Sequence, residues 1–277
     1  MKNKKDSLGD RMKSYYESRF RFMLQRRTNF IIRIDGKAFH TYTRGLEKPF
    51  DGGLMRDMAE TTRFLCENIQ GAKFGYTQSD EISILVTDYD DLSTSAWFDN
   101  NLQKMCSISA SLTTAKFNQL RVQRAYRNIE TDPMEHGLTA YDMCISEALN
   151  TKLAMFDSRI FAITEPEEVV NYFIWRQQDA TRNSVSMAAQ SMFSHKQLQG
   201  ESGSSMQEMM HEEKGVNWND YPTICKRGTS VWKKTTFLTD TKDETYMRSN
   251  WVIDTEMPIL TQDRNYILNR LPKIELV

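Results

Sequence analysis

Cysteine is sparse and scattered. Cys66, Cys106, Cys144 and Cys225 lie far apart and form no C-x-x-C pair, which argues against a zinc site and fits a reducing cytosol. No run of about 18 apolar residues occurs, which argues against a membrane span. Residues 1–6 are charged and lack an apolar h-region, so no signal peptide is expected. Neither charge is in excess: 36 Lys and Arg face 37 Asp and Glu, a formal net charge of -1. Nucleic-acid contact must therefore come from local patches rather than from the whole-protein field. Walker A, G-x-G-x-x-G and G-x-S-x-G motifs are missing, and His40, His136, His195 and His211 show no H-E-x-x-H spacing. P-loop, Rossmann, nucleophile-elbow and zincin chemistry are left without support.

What remains is a chain of 277 residues, 39% hydrophobic and 26% charged, long enough to bury a core without disulfides. Asn29–Asp35, N-F-I-I-R-I-D, is a short β-branched apolar run that reads as a buried strand. Residues 52–70 have helical apolar spacing, with Gly71 where a C-cap belongs. Lys73–Thr77 and Glu81–Thr87 read as strands joined by a tight Gln78-Ser79-Asp80 connection. A helix is expected from about Ser95 to Arg124, loop over 128–139, and a strand over Ser158–Ile163. Thr164–Glu167 resembles a capping box opening a helix through about Gln178. Gly200–Ser205 is the most linker-like stretch; a helix Met206–Lys214 capped at Gly215 and a β-rich Thr229–Leu238 follow, and beyond Thr239 little is legible.

Strand, helix, strand, strand, helix, strand is the split βαβ order. The fold expected is α+β: ferredoxin-like (βαββαβ), with additional C-terminal helices and a β segment. Residues 1–165 would form this core, and 166–277 a helical and β region packed on it as one compact unit. In this topology strand three pairs antiparallel with strand one, so the hairpin tip carrying Asp80 lies beside the strand end carrying Asp35. Alone, either acid reads as an ordinary turn residue. Together they offer Mg²⁺ the hard oxygens it prefers, with the Gly36 carbonyl alongside. Two such ions, roughly 3.5–4 Å apart, activate an attacking hydroxyl and neutralise a leaving phosphate. Alternation sends Glu81 to the face opposite Asp80, which leaves it second choice. Lys37, His40, Lys48 and Lys104 are the candidate cations for a negatively charged transition state. Basic clusters at Arg19, Arg21, Arg26 and Arg27, at Arg121, Arg124 and Arg127, and at Lys226, Arg227, Lys233 and Lys234, with Trp232 as a stacking ring, suggest RNA contacts, although each alone also reads as a solvated face.

R-I-D-G-x-x-F-H at 33–40, Lys48-Pro49, Tyr76-x-Gln-Ser-Asp-Glu81, Trp97-Phe98 with Lys104, Tyr172-x-x-W-R-Q177 and Lys226-x-Gly228 together resemble the tRNA-histidine guanylyltransferase family of 3′-to-5′ polymerases, over residues 7–235. The resemblance implies that the ferredoxin-like core of residues 1–165 is a polymerase-type palm, the catalytic core, in which Asp35, the Gly36 carbonyl and Asp80 hold two Mg²⁺ ions. It implies that Lys48 and Ser79 act on nucleotide phosphates, with Lys37, Ala38, Phe39, His40, Lys104 and Asn183 also contacting nucleotide. ATP, GTP and other NTPs are the implied substrates, tRNA or a similar RNA the partner, a cytoplasmic homotetramer the assembly. RNA contacts fall to Arg26, Arg27, Arg182, Lys226 and Arg227. One departure matters: eukaryotic members read H-I-N-N-L-Y-N after W-R-Q-x-D-C, whereas here Thr181 stands at the histidine position and only Asn183 is kept among the polar residues. That resembles the bacterial and archaeal guanylyltransferase-like branch, whose members repair truncated tRNA 5′ ends by templated addition. The departure shifts the expectation away from guanylylation of histidine tRNA. A nucleotidyl cyclase on a similar palm, or a non-catalytic RNA-binding module, are the other readings.

Overall fold

The computed structural model describes residues 7–130, 152–239 and 245–272; His136 and Cys144 lie outside them, as does 131–139 of the expected loop. Strand β1 (Asn29–Gly36) leads through helix α2 (Phe39–Tyr42) and helix α3 (Gly52–Asn68) to the hairpin β2 (Ala72–Gln78) and β3 (Glu81–Thr87). Helix α4 (Leu102–Glu130) follows, then β4 (Phe156–Ile163) and α5 (Pro166–Gln190). The sheet order is β4-β1-β3-β2-β5-β6, with every pair antiparallel. Its first four strands have the ferredoxin-like order. Strands β5 (Thr229–Thr239) and β6 (Thr245–Asp254) extend the same sheet beyond β2.

The apolar run of β1 is explained by burial on both faces. Phe30, Ile32 and Ile34 face α3 and α4, in one cluster with Met58, Leu65, Met105 and Phe117. Ile31 faces α5, in a second cluster with Val169, Val170 and Phe173. Helix α3 starts where Asp51 Oδ1 accepts the Leu54 N–H at 2.6 Å, an N-cap.

Several local expectations are corrected. The helix expected from Ser95 begins at Leu102, because Phe98, Asp99 and Asn100 all take left-handed backbone (φ 49°, 53° and 56°). Asn100 fixes that turn by donating to the Gln25 carbonyl and to Asp88. Its other end runs to Glu130 rather than Arg124, so residues 128–130, expected as loop, are helical. No capping box forms over Thr164–Glu167: Glu165 makes no side-chain cap bond, and Pro166 opens the helix at its first turn. That helix reaches Gln190, not Gln178, since Val185, Ala188 and Ala189 pack on Phe193, Met210 and Trp218. The linker-like Gly200–Ser205 is instead the start of a packed helix, Gly203–Lys214, with Ser202 as its cap.

One buried ionic cluster ties α5 to the hairpin. Glu81 (4% exposed) stands opposite Asp35 in the β1–β3 register. Arg176 (3% exposed) donates from Nε and Nη2 to its two oxygens, both at 2.7 Å, and Arg33 Nη2 donates at 2.7 Å. Arg176 also reaches Asp179 at 2.9 Å, and both guanidiniums lie over the Trp175 ring. Removing one member strands a buried charge, so Arg176→Met is expected to cost about 3–5 kcal/mol in urea denaturation. The double variant Glu81→Leu/Arg176→Met recovers much of that loss, since no lone carboxylate is left buried.

Candidate active site

Asp35 is the penultimate residue of β1, and the chain turns sharply after it. A Cβ on Gly36 would stand 2.2 Å from the Phe39 ring, so only glycine allows that ring to fold back over the strand end. The ring is buried among Tyr42, Phe117 and Phe156. Lys37 N–H donates to the Met155 carbonyl at 2.8 Å, and Ala38 takes left-handed backbone at φ 53°. Lys37, Ala38 and His40 are exposed. Of the nucleotide contacts expected here, Phe39 is therefore a core ring with only its backbone on offer. His40 Nε2 lies 3.0 Å from the Thr41 hydroxyl.

On the neighbouring strand, Ser79 and Asp80 form a two-residue turn between the paired Gln78 and Glu81. Ser79 is left-handed at φ 51°, and its hydroxyl donates to Asp80 Oδ1 at 3.1 Å. Partial burial pushes the Asp80 carboxyl above the ordinary carboxylate range. Hydrogen bonds from its own backbone and from Ser79 oppose that rise, and the charges of Asp35 and Glu81 add to it. The repulsion from Asp35 reflects how near the hairpin brings the two acids. Glu81 was held as a second acid for the metals. Its oxygens are taken by Arg176 and Arg33, which leaves Asp35, Asp80 and the Gly36 carbonyl as the available donors. Among the described residues no group of three or more His, Cys, Asp and Glu gathers, here or elsewhere, so the site offers two carboxylates and a backbone oxygen. Few protein oxygens, with phosphate and water completing the shell, is the pattern Mg²⁺ adopts.

Beside the Ser79 turn opens a pocket. Phe50, Leu54, Met55, Met187 and Ile224 give it apolar walls, and Gln78, Ser79, Asn183 and Ser184 give it polar points. Apolar walls with a few polar points suit a nucleotide base, and Ser79, next to Asp80, is part of the lining. Asn183 lines this pocket, and Lys48 is exposed on the loop two residues before Phe50.

Other expected contacts are placed elsewhere. Lys104 sits in the first turn of α4, where Leu102 N–H meets the Phe22 carbonyl at the far end of β1. The Asp35 end of the sheet meets α4 near Thr114, whose hydroxyl takes the Phe156 N–H. Ten helical residues, roughly 15 Å, separate the two levels, so this chain's own fold does not bring Lys104 to the carboxylates. Arg26 pairs with Asp88 at 2.6 Å, and the Arg27 N–H donates to the same carboxylate, also at that far end. Arg182 pairs with Asp179 at 2.9 Å. Lys226 donates to the Asn219 carbonyl and lies over Trp218. Arg227 gives its carbonyl to the Tyr76 hydroxyl at 2.7 Å. Thr181, at the family's histidine position, donates to the Lys226 carbonyl and so ties α5 to the Thr223–Arg227 helix (α8). Gly228 is required because a Cβ there would stand 2.5 Å from the Thr77 carbonyl, at φ +79°. Trp232, expected as a stacking ring, is already covered by Arg270 at 4.5 Å.

Sequence reading missed Arg159, which lies 3.9 Å from Asp35 and 3.0 Å from Asp157, and Arg176. Alternation along β4, carried across the antiparallel register, could have found the first.

The Asp80 shift has a measurable sign. The folded carboxyl holds its proton to higher pH than the unfolded one, so its stabilising effect is complete below about pH 3.9 and is lost as pH rises through the folded value. In metal-free protein Asp80→Asn, which mimics the neutral acid, should therefore melt above wild type at neutral pH. The gap should close toward pH 4 in a pH series of thermal melts.

The family model for tRNA(His) guanylyltransferase matches residues 9–164. A bacterial tRNA(His) guanylyltransferase-like protein solved with ATP is 45% identical, with a TM-score of 0.77, covering 95% of this chain and 98% of that one. One solved with GTP is 42% identical at a TM-score of 0.74, covering 96% and 99%. The uncharacterized protein R259 of Acanthamoeba polyphaga mimivirus is 28% identical over 257 residues, 90% of this chain and 84% of its own length. The carboxylate pair at the hairpin tip, the palm order of the sheet and these matches agree: the chain belongs to the tRNA(His) guanylyltransferase (Thg1) family, whose members are nucleotidyltransferases acting on tRNA.

Proposed function

We propose that this protein adds nucleotides in the 3′-to-5′ direction to RNA 5′ ends, directed by the opposing template base and dependent on Mg²⁺, as in repair of truncated tRNA. The observation that carries the reading is the meeting of Asp35 and Gly36 with the Ser79–Asp80 turn at the mouth of an apolar pocket. Thr181 supports the repair branch: its hydroxyl is spent on the Lys226 carbonyl, so α5 offers no imidazole there for reading histidine tRNA.

In this proposal Asp35, Asp80 and the Gly36 carbonyl hold two Mg²⁺, which would supply a lowered hydroxyl pKa and charge neutralisation at the leaving phosphate. The chain's own groups do the positioning. The pocket walls grip a base, and Ser79, whose hydroxyl rests on Asp80 in the free protein, turns it to phosphate oxygens when a nucleotide binds. Lys48 and His40 stand on the loops flanking the site, where their charge and hydrogen-bond donors can meet a triphosphate. The 5′ phosphate of the RNA is first adenylylated by ATP, with release of pyrophosphate, or arrives as a triphosphate. The 3′-hydroxyl of the incoming nucleotide then attacks it, the new P–O bond forms, and AMP or pyrophosphate leaves. Cytoplasmic homotetramers are part of the same proposal. Met12, Tyr15, Tyr16, Phe20 and Phe22 expose apolar area of the kind a subunit contact covers.

A tRNA lacking its first nucleotides and carrying a 5′-triphosphate is the test substrate, incubated with Mg²⁺ and each NTP in turn. The expected product is extended only by the nucleotide complementary to the opposing base, and Asp35→Ala lowers the rate at least a thousandfold, the scale of a lost electrostatic contribution. A single G added regardless of template identifies a guanylyltransferase in the strict sense. No extension across several truncations overturns the reading.

A further inference from the structure

Asp35 has two flanks. On one, β3 carries the Ser79–Asp80 turn with the pocket behind it. On the other, β4 pairs with β1 so that Asp157 stands opposite Asp35 and Arg159 opposite Arg33. Among the described residues β4 is the outermost strand on that side, so its outer edge is open. Alternation puts Asp35, Glu81, Asp157 and Arg159 on the sheet face that Ile31, Leu85 and Phe161 mark. Arg159 is half exposed (52%), with Nη2 at 3.0 Å from Asp157 and 3.9 Å from Asp35. The outer flank of Asp35 thus carries a half-exposed cation that the nucleotide pocket does not use.

We propose that Arg159 forms a subsite for the 5′-terminal phosphate of the RNA, on the flank of Asp35 opposite the pocket. The inference rests on the nucleotide-addition reading above. In-line displacement at phosphorus requires the entering and leaving groups on opposite sides, so a nucleotide held in the pocket leaves the β4 flank to the RNA. A planar guanidinium grips phosphate oxygens through two parallel N–H bonds. Half-exposed ion pairs contribute little to stability, so Arg159 can exchange Asp157 and Asp35 for phosphate at small cost to the fold. A purely structural Arg159 would do no more than separate the two facing carboxylates.

The test uses one RNA hairpin bearing a 5′-hydroxyl, a 5′-monophosphate or a 5′-triphosphate, bound to the full chain in Mg²⁺ without nucleotide and followed by fluorescence anisotropy. Wild type should prefer the triphosphate. Arg159→Ala should lose roughly tenfold to a hundredfold of that preference, the range for one hydrogen bond to a charged group. Its affinity for 5′-hydroxyl RNA and for ATP should stay unchanged. Arg159→Lys should keep part of the preference, which guards against a misfolded alanine variant. An undiminished preference in Arg159→Ala, or an equal loss for all three RNAs and for ATP, overturns the inference alone. A wild-type protein that binds the three RNAs alike overturns the nucleotide-addition reading with it.

Discussion

The antiparallel register of β1 on β3 is the constraint on which the rest depends. It sets Asp35 opposite Glu81 and so delivers the Ser79–Asp80 turn to the end of β1. A slip of one residue would turn every β1 side chain to the wrong face. Two things oppose that slip. Phe30, Ile32 and Ile34 are buried on one side and Ile31 on the other, and Glu81 is held by Arg176 and Arg33. The acid that lies in register with Asp35 is thus committed to structure. Its neighbour in the turn, which carries a raised affinity for protons, is the one left to bind a cation.

That division of labour explains the composition of the site. A carboxylate held partly buried beside another carboxylate is costly in the empty protein, and that cost is relieved when divalent charge arrives. Strain and repulsion held at a functional turn are a common arrangement, provided the surroundings over-determine the geometry. Here the surroundings are the hairpin, the Arg176 clamp and the Phe39 ring seated on Gly36. Helix α5 serves both ends of the arrangement: Arg176 clamps the hairpin, and two turns later Asn183 lines the pocket.

Much of this was legible in the sequence, for local reasons. N-F-I-I-R-I-D announced a buried strand that ends on an acid, and the order of elements sufficed to bring Asp80 beside it. The two-residue turn likewise follows from short-range chemistry, whereas α3 ends at Asn68 with Ile69, not the expected Gly71, as its C-cap. What could not be read depends on contacts distant in sequence. Glu81 looked like a spare metal ligand because its partner is 95 residues away. Lys104 looked like a phosphate contact because motif order carries no distance along a helix. Trp232 looked like a stacking surface because Arg270, which covers it, belongs to a stretch with no recognisable pattern. Strand β6 was invisible for the same reason: its inner half is defined by the core it completes through Trp251 and Ile253.

The central claim is that Asp35 and Asp80, and not Glu81, bind the divalent cation. Mn²⁺ binding in the presence of a non-hydrolysable ATP analogue, followed by electron paramagnetic resonance, addresses it directly. The account predicts that Asp35→Asn and Asp80→Asn each weaken Mn²⁺ binding at least tenfold, while Glu81→Gln, checked for folding, leaves it near the wild-type value. Tight Mn²⁺ binding by the Asp80→Asn protein, or its loss only on changing Glu81, would contradict the account.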